Sequence, residues 1–127
     1  MSTVVLDSGG LSALVERDPA ALALIEALRS EGADAFVVST VVLVEALRGD
    51  ARDATTNRFL RGCEIIEAVP EPLARRAARL RARARRGSAV DALLVALAEG
   101  GGVVVTSDLE DLSALAAYAD RVRVERV

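Results

Sequence analysis

Histidine and lysine are both absent from this chain of 127 residues, so all sixteen basic side chains are arginine. Ser-His-Asp and Cys-His nucleophile systems, imidazole acid–base pairs and the common zinc sites need histidine. Walker-type phosphate loops and Schiff bases need lysine. Those chemistries are excluded, which leaves carboxylate, hydroxyl, guanidinium and one thiol. The single cysteine, Cys63, cannot form an intrachain disulfide, and without an imidazole partner it reads as a small buried residue rather than a nucleophile. Tryptophan is absent and the aromatics are Phe36, Phe59 and Tyr118 alone, so stacking on nucleic-acid bases is not expected as a main binding mode. The opening Met-Ser-Thr-Val-Val-Leu-Asp has no basic n-region, and no later stretch is long and uncharged enough to span a bilayer. A soluble, cytoplasmic protein with no membrane partner is expected.

Half the residues are apolar, and with so few aromatics the core must be Ala, Val and Leu. Residues 1–127 are expected to form one domain, long enough to bury a core without staples. Short β-branched runs at Val4–Leu6, Phe36–Val38, Ile65–Val69, Val103–Val105 and Val122–Val124 alternate with stretches at helical spacing. Helices are predicted near 9–16, 19–31, 41–48, 51–61, 71–86, 89–99 and 109–119, with prolines near starts and glycines near stops. Strands alternating with helices imply an α/β fold with a parallel sheet of four to five strands. Runs that are apolar on both faces imply helices on both sides. Gly100-Gly-Gly reads as a helix end and turn, since it lacks the spaced glycines and following helix of a dinucleotide site.

Four carboxylates stand out. Asp7 ends the first strand-like run, Glu45 sits inside the apolar Val41–Leu47 run, Asp91 opens Asp-Ala-Leu-Leu-Val-Ala-Leu, and Asp108 follows Val103-Val-Val-Thr-Ser. Each aspartate has a structural explanation. Asp7 can cap a helix, Asp91 makes a capping-box pattern with Ser88, and Asp108 repeats the pattern with Asp111. Glu45 is harder to explain, because an isolated buried carboxylate costs several kcal/mol and only Arg48 lies at helical reach. All four fall at the carboxyl edge of the sheet, where open α/β sheets bind ligands. Converging carboxylates repel unless a cation sits between them, so a hard divalent metal is the first expectation. The remaining acids, Asp53 and Glu99 among them, read as solvated surface.

Val4-Val-Leu-Asp7-Ser8, Ser39-Thr40 through Glu45-Ala-Leu-Arg48-Gly49, Asp91 through Ala98, and Val105-Thr-Ser-Asp108-Leu-Glu-Asp111 together resemble the PIN domain, specifically the VapC-like toxins of bacterial toxin–antitoxin pairs. The resemblance implies a three-layer α/β/α fold, a Mg2+- or Mn2+-dependent endoribonuclease with an RNA substrate, a homodimer and a cognate VapB-like antitoxin. It assigns catalytic roles to Asp7, Glu45, Asp91 and Asp108, with Asp7, Asp91 and Asp108 as metal ligands. Ser8, Thr106, Ser107 and Asp111 fall in the supporting shell. Glu45 would orient the attacking water or hold a second ion. Many relatives carry serine or alanine where Gly9 stands, so a hydroxyl contact from that position is not available here.

The segment Arg75–Arg86 holds seven arginines. At about 100° per residue Leu73, Ala77, Leu80 and Ala84 share one stripe. Arg75, Arg76, Arg79, Arg83 and Arg86 share the opposite face, either as a solvated surface or as a phosphate-binding ridge leading to Asp91. Receiver-like and haloacid-dehalogenase-like readings fail for want of a lysine and of a second aspartate two residues after Asp7. A PIN-like protein that acts mainly by binding RNA or a partner is the stronger alternative.

Overall fold

The computed structural model describes residues 2–127. In chain order the elements are β1 (Ser2–Leu6), α1 (Ser8–Val15), α2 (Pro19–Ser30), β2 (Ala33–Ser39), α3 (Thr40–Ala46), a 3-10 turn (Ala51–Asp53), α4 (Ala54–Leu60), β3 (Glu64–Ile66), α5 (Glu71–Ala84), α6 (Ala89–Ala98), β4 (Val103–Thr106), α7 (Leu109–Ala116) and β5 (Arg123–Arg126). All five strands are parallel, in the order β3-β2-β1-β4-β5. The chain is therefore an α/β fold of three layers, as the alternation of runs and the resemblance both implied.

Burial follows strand position. Val4, Val5 and Leu6 of β1 and Val103, Val104 and Val105 of β4 are buried, because these central strands carry helices on both faces. Edge strands β3 and β5 are only partly buried, and they explain two boundary differences from the sequence. β3 stops at Ile66 because its pairing with β2 ends at Ser39–Ile66. β5 begins at Arg123 because its register with β4 runs from Val103–Arg123 to Thr106–Arg126. The inward stripe of α5 is as expected, with Ala77 and Leu80 buried and Leu73 and Ala84 packed against the core. Gly100 and Gly101 form a turn at positive φ, and the Gly102 N–H bonds the Ala98 carbonyl at 2.8 Å.

The start of α1 lies directly against the end of β4, which decides the identity of two residues. A Cβ on Gly10 would stand 2.3 Å from the Val105 carbonyl oxygen, and one on Gly9 would stand 2.0 Å from Ser107 Oγ. The Asp7 N–H closes the same junction with a bond to the Val105 carbonyl at 3.2 Å. Gly10→Ala gains about 1 kcal/mol of helix propensity. It must still push a backbone carbonyl aside, an overpacking of about 1–3 kcal/mol or more. A net loss of stability in urea unfolding is expected, and an unchanged or raised midpoint would contradict this packing.

Candidate metal centre at the sheet edge

From the β1–β4 pair the strand order runs outward in opposite directions, to β2 and β3 on one side and to β5 on the other. That reversal opens a crevice at the carboxyl ends of β1 and β4. Asp7 is the first residue after β1. Its Oδ1 accepts the Gly10 N–H at 2.7 Å, capping α1, and its Oδ2 accepts the Thr106 hydroxyl. Thr106 is the last residue of β4 and fully buried, at 0% exposure. Its oxygen accepts the Asp108 N–H at 2.9 Å, and its single proton goes to the Asp7 carboxylate in preference to the Asp108 carbonyl 3.0 Å away. One hydroxyl thus ties the exit of β1 to the exit of β4. Ser107, the next residue, puts its hydroxyl where a side chain on residue 9 would lie.

Burial pushes the Asp7 carboxyl above its ordinary value. The Thr106 and Gly10 hydrogen bonds oppose the shift, and the nearby Asp91 carboxylate adds to it. Asp91 stands in the first turn of α6 and completes the expected capping box: its Oδ2 accepts the Ser88 N–H at 3.1 Å while Ser88 Oγ accepts the Asp91 N–H at 3.0 Å. Asp108 caps α7, but its bond goes to the Glu110 N–H at 3.3 Å rather than to Asp111. Asp111 is drawn instead to Arg86, at 3.2 Å.

Two expectations fail. Glu45 is not buried: α3 turns Val42 into the core and leaves both Glu45 and Val44, the latter 83% exposed, toward solvent. Glu45 faces a polar cleft of about 550 Å3 that it shares with Ser8 and Gly9. Nor do the acids form a closed cluster, since among the described residues no three Asp, Glu or Cys side chains are grouped to hold a metal ion. The donor chemistry nonetheless suits a hard cation. Asp7, Thr106 and Asp91 offer carboxylate and hydroxyl oxygens there, and magnesium commonly anchors on one or two carboxylates while keeping several waters. Asp7 and Asp91, close enough for the one to raise the titration of the other, are the two carboxylates that could serve it.

The arginine face of α5 is largely neutralised. Arg75 pairs with Glu71 at 2.7 Å and Arg76 binds Glu99 through two bonds of 2.8 and 2.7 Å; the helix ends at Ala84 with Arg85 left-handed, so Arg86 lies past it rather than on its face and pairs with Glu110 at 2.6 Å as well as with Asp111. The Arg83 guanidinium covers the Tyr118 ring at 5.3 Å. Arg79 adds its field to the Glu99 carboxylate, which Arg76 holds below the usual range. Glu99 therefore joins α5 to α6 rather than lying free in solvent.

Asp53 is the residue that sequence reasoning missed. It is 6% exposed, and its carboxylate accepts the Arg48 N–H at 3.0 and 3.1 Å and the Gly49 N–H at 2.7 Å. The available signal was a glycine turn followed within a few residues by an acid able to reach back to it. Cys63 behaves as expected, a half-buried thiol whose titration burial pushes up.

Because Asp7 titrates above its unfolded value of 3.8, the stability it contributes is full below that value and is lost as pH rises through the raised folded value. Asn keeps the cap acceptor and can donate to Thr106, so Asp7→Asn is expected to melt higher than the parent at pH 7 in metal-stripped protein. The difference should shrink as pH falls toward 3.8. Parallel melting curves across that range would contradict an ionised, desolvated Asp7.

No curated protein matches the sequence. Among solved structures the chain is similar to VapBC2 from Rickettsia felis bound to a DNA fragment from their promoter, with 15% identity, 98% of each chain covered and a TM-score of 0.72. It is also similar to a toxin–antitoxin complex from Klebsiella pneumoniae, with 20% identity, 98% of this chain and 99% of that one covered and a TM-score of 0.69. PAE2754 from Pyrobaculum aerophilum follows with 18% identity, 95% and 89% coverage and a TM-score of 0.61. At these identities the likeness establishes the fold. The family model of the PIN domain matches residues 4–118, which takes in all seven helices and every strand but β5, and the chain belongs to the PIN domain family.

Proposed function

We propose that this chain is a divalent-metal-dependent endoribonuclease acting as the toxin of a type II toxin–antitoxin pair. The observation that carries the reading is Asp7: a desolvated carboxylate pinned by Thr106, pressed by Asp91, at the crevice between β1 and β4. The fold's likeness to two toxin–antitoxin complexes supports an antitoxin as partner. A homodimer remains part of the proposal.

Asp7 and Asp91 would hold Mg2+ or Mn2+, with Asp108 joining directly or through water. When bound, the ion supplies neutralising charge and Lewis acidity to a phosphodiester. Thr106 and the Gly10 N–H fix the Asp7 carboxylate in one orientation, so no reorganisation is needed when substrate arrives. Glu45, which lines the polar cleft together with Ser8 and Gly9, would orient a water and accept its proton. No imidazole exists to compete for that task. Ser8, Ser107 and Asp111 support the arrangement, the first at the start of α1 and the last by its tie to Arg86.

The test is cleavage of single-stranded RNA by chelator-stripped protein with magnesium or manganese restored. Restoration should restore cutting, and Asp91→Asn should lower it by about 100-fold or more while the fold persists, as loss of a metal anchor does. Near-parental cleavage by Asp91→Asn, with contaminating nuclease excluded, would overturn the role. The engagement of Asp91 and Asp108 in helix caps favours one second reading, a PIN-like protein that binds RNA or a partner without cutting. RNA retained but never cleaved under any divalent ion would select it.

A further inference from the structure

The crevice acids are not the whole of a strand-binding site, and the arginine helix is poorly placed to complete it. Of its four outward guanidiniums, those of Arg75 and Arg76 are paired with carboxylates and that of Arg83 lies over Tyr118, while Arg86, just past the helix end, is paired with Glu110. The polar cleft beside Glu45 holds an arginine that is not paired among the described residues. Its volume of about 550 Å3 falls within the range of about 300–1,000 Å3 typical of ligand sites, enough for a nucleotide. Ser8 and Gly9, the two residues after Asp7, line it with Glu45, Ser12, Thr55 and Thr56, and a second carboxylate, Glu16, also borders it.

Two guanidiniums border this cleft. That of Arg52 is taken up by Asp50, at 2.7–3.1 Å through three bonds. Arg48 is exposed and makes no ion pair with a carboxylate among the described residues. Its backbone is nonetheless held firmly. The chain leaves α3 through an extended Leu47 and reverses at Gly49, whose φ of +80° suits glycine. The buried Asp53 carboxylate clamps the N–H groups of both Arg48 and Gly49. Asp53 thus spends its charge on backbone donors, and Arg48, whose field reaches the Asp50 carboxylate already bound by Arg52, is left without a carboxylate contact of its own and open to another anion.

We propose that the cleft between α1 and the α3–α4 connection carries the substrate RNA away from the crevice, with Arg48 as its phosphate-binding residue and Asp53 as the positioning residue that sets Arg48 in place. The proposal rests on the ribonuclease reading and names the strand contact of that same site. A guanidinium on a clamped backbone presents its fork to a phosphodiester at little entropic cost. Placed three residues after Glu45, it also offsets the acid that would otherwise repel the strand.

Binding of fluorescent single-stranded RNA is measured over a salt series in the Asp91→Asn background, which uncouples binding from cutting. Arg48→Gln, which keeps much of the stem, should weaken binding about 10-fold and flatten the log K against log salt slope by ~0.7, the loss of one phosphate contact to a single strand. Arg48→Lys should keep the slope. Asp53→Asn should weaken binding, and in combination with Arg48→Gln should add nothing further, which a merely structural role for Asp53 would not produce. The pair Arg79→Ala and Arg83→Ala should change neither affinity nor slope. Unchanged affinity and slope in Arg48→Gln, in a background that binds RNA, would overturn the proposal and leave the ribonuclease reading intact. No RNA binding in that background, together with no cleavage by the parent, would overturn both.

Discussion

The hydroxyl of Thr106 is the contact on which the rest of the crevice depends. It sits at the end of a central strand, out of reach of water, where an unsatisfied hydroxyl costs about 1–3 kcal/mol. It accepts from the Asp108 backbone and donates to Asp7, so the two strand exits cannot move independently. The glycines at 9 and 10 make the contact possible, because any Cβ there would hold α1 away from β4. Small residues on one side and a single hydroxyl on the other thereby set the position of the principal acid.

A second constraint explains how acids can gather near that edge at all. Asp7, Asp108 and Asp91 each sit at or within the first turn of a helix, where free N–H groups and the positive end of the helix dipole favour negative charge. The caps hold carboxylates near the crevice in the absence of a cation, though not without strain, since burial and Asp91 raise the titration of Asp7. Capping and ligation are then compatible uses of the same side chain. In Asp7 one oxygen caps the helix and the other takes the Thr106 hydroxyl, leaving lone pairs that could face a cation.

Much of this was legible in the sequence. Val4–Leu6 and Val103–Val105 are apolar without alternation, which is what strands covered on both faces require, and the Ser88–Asp91 box announced the start of α6. Glu45 was misplaced because apolar neighbours report composition, not which side of a short helix meets the core. Val44, the residue next to it, is among the most exposed of the apolar side chains. Apart from Glu71, four residues from Arg75, the partners of the arginines on and just past α5, Glu99, Glu110 and Asp111, lie more than twenty positions away and meet them only in the folded chain. Asp53 reads as surface for the opposite reason: its partners are backbone N–H groups, which carry no residue-type signal.

The central claim is that Asp7 and Asp91 form a cation site beneath the Thr106 tie. A crystal of the protein grown with manganese, measured for anomalous scattering, tests it most directly. The account predicts an anomalous peak between the carboxylates of Asp7 and Asp91, bridged to Asp108 directly or by water, and its absence from an Asp7→Asn crystal grown alongside. Manganese bound only elsewhere on the surface, with Asp7 and Asp91 still held by Thr106 and Ser88 alone, would contradict it.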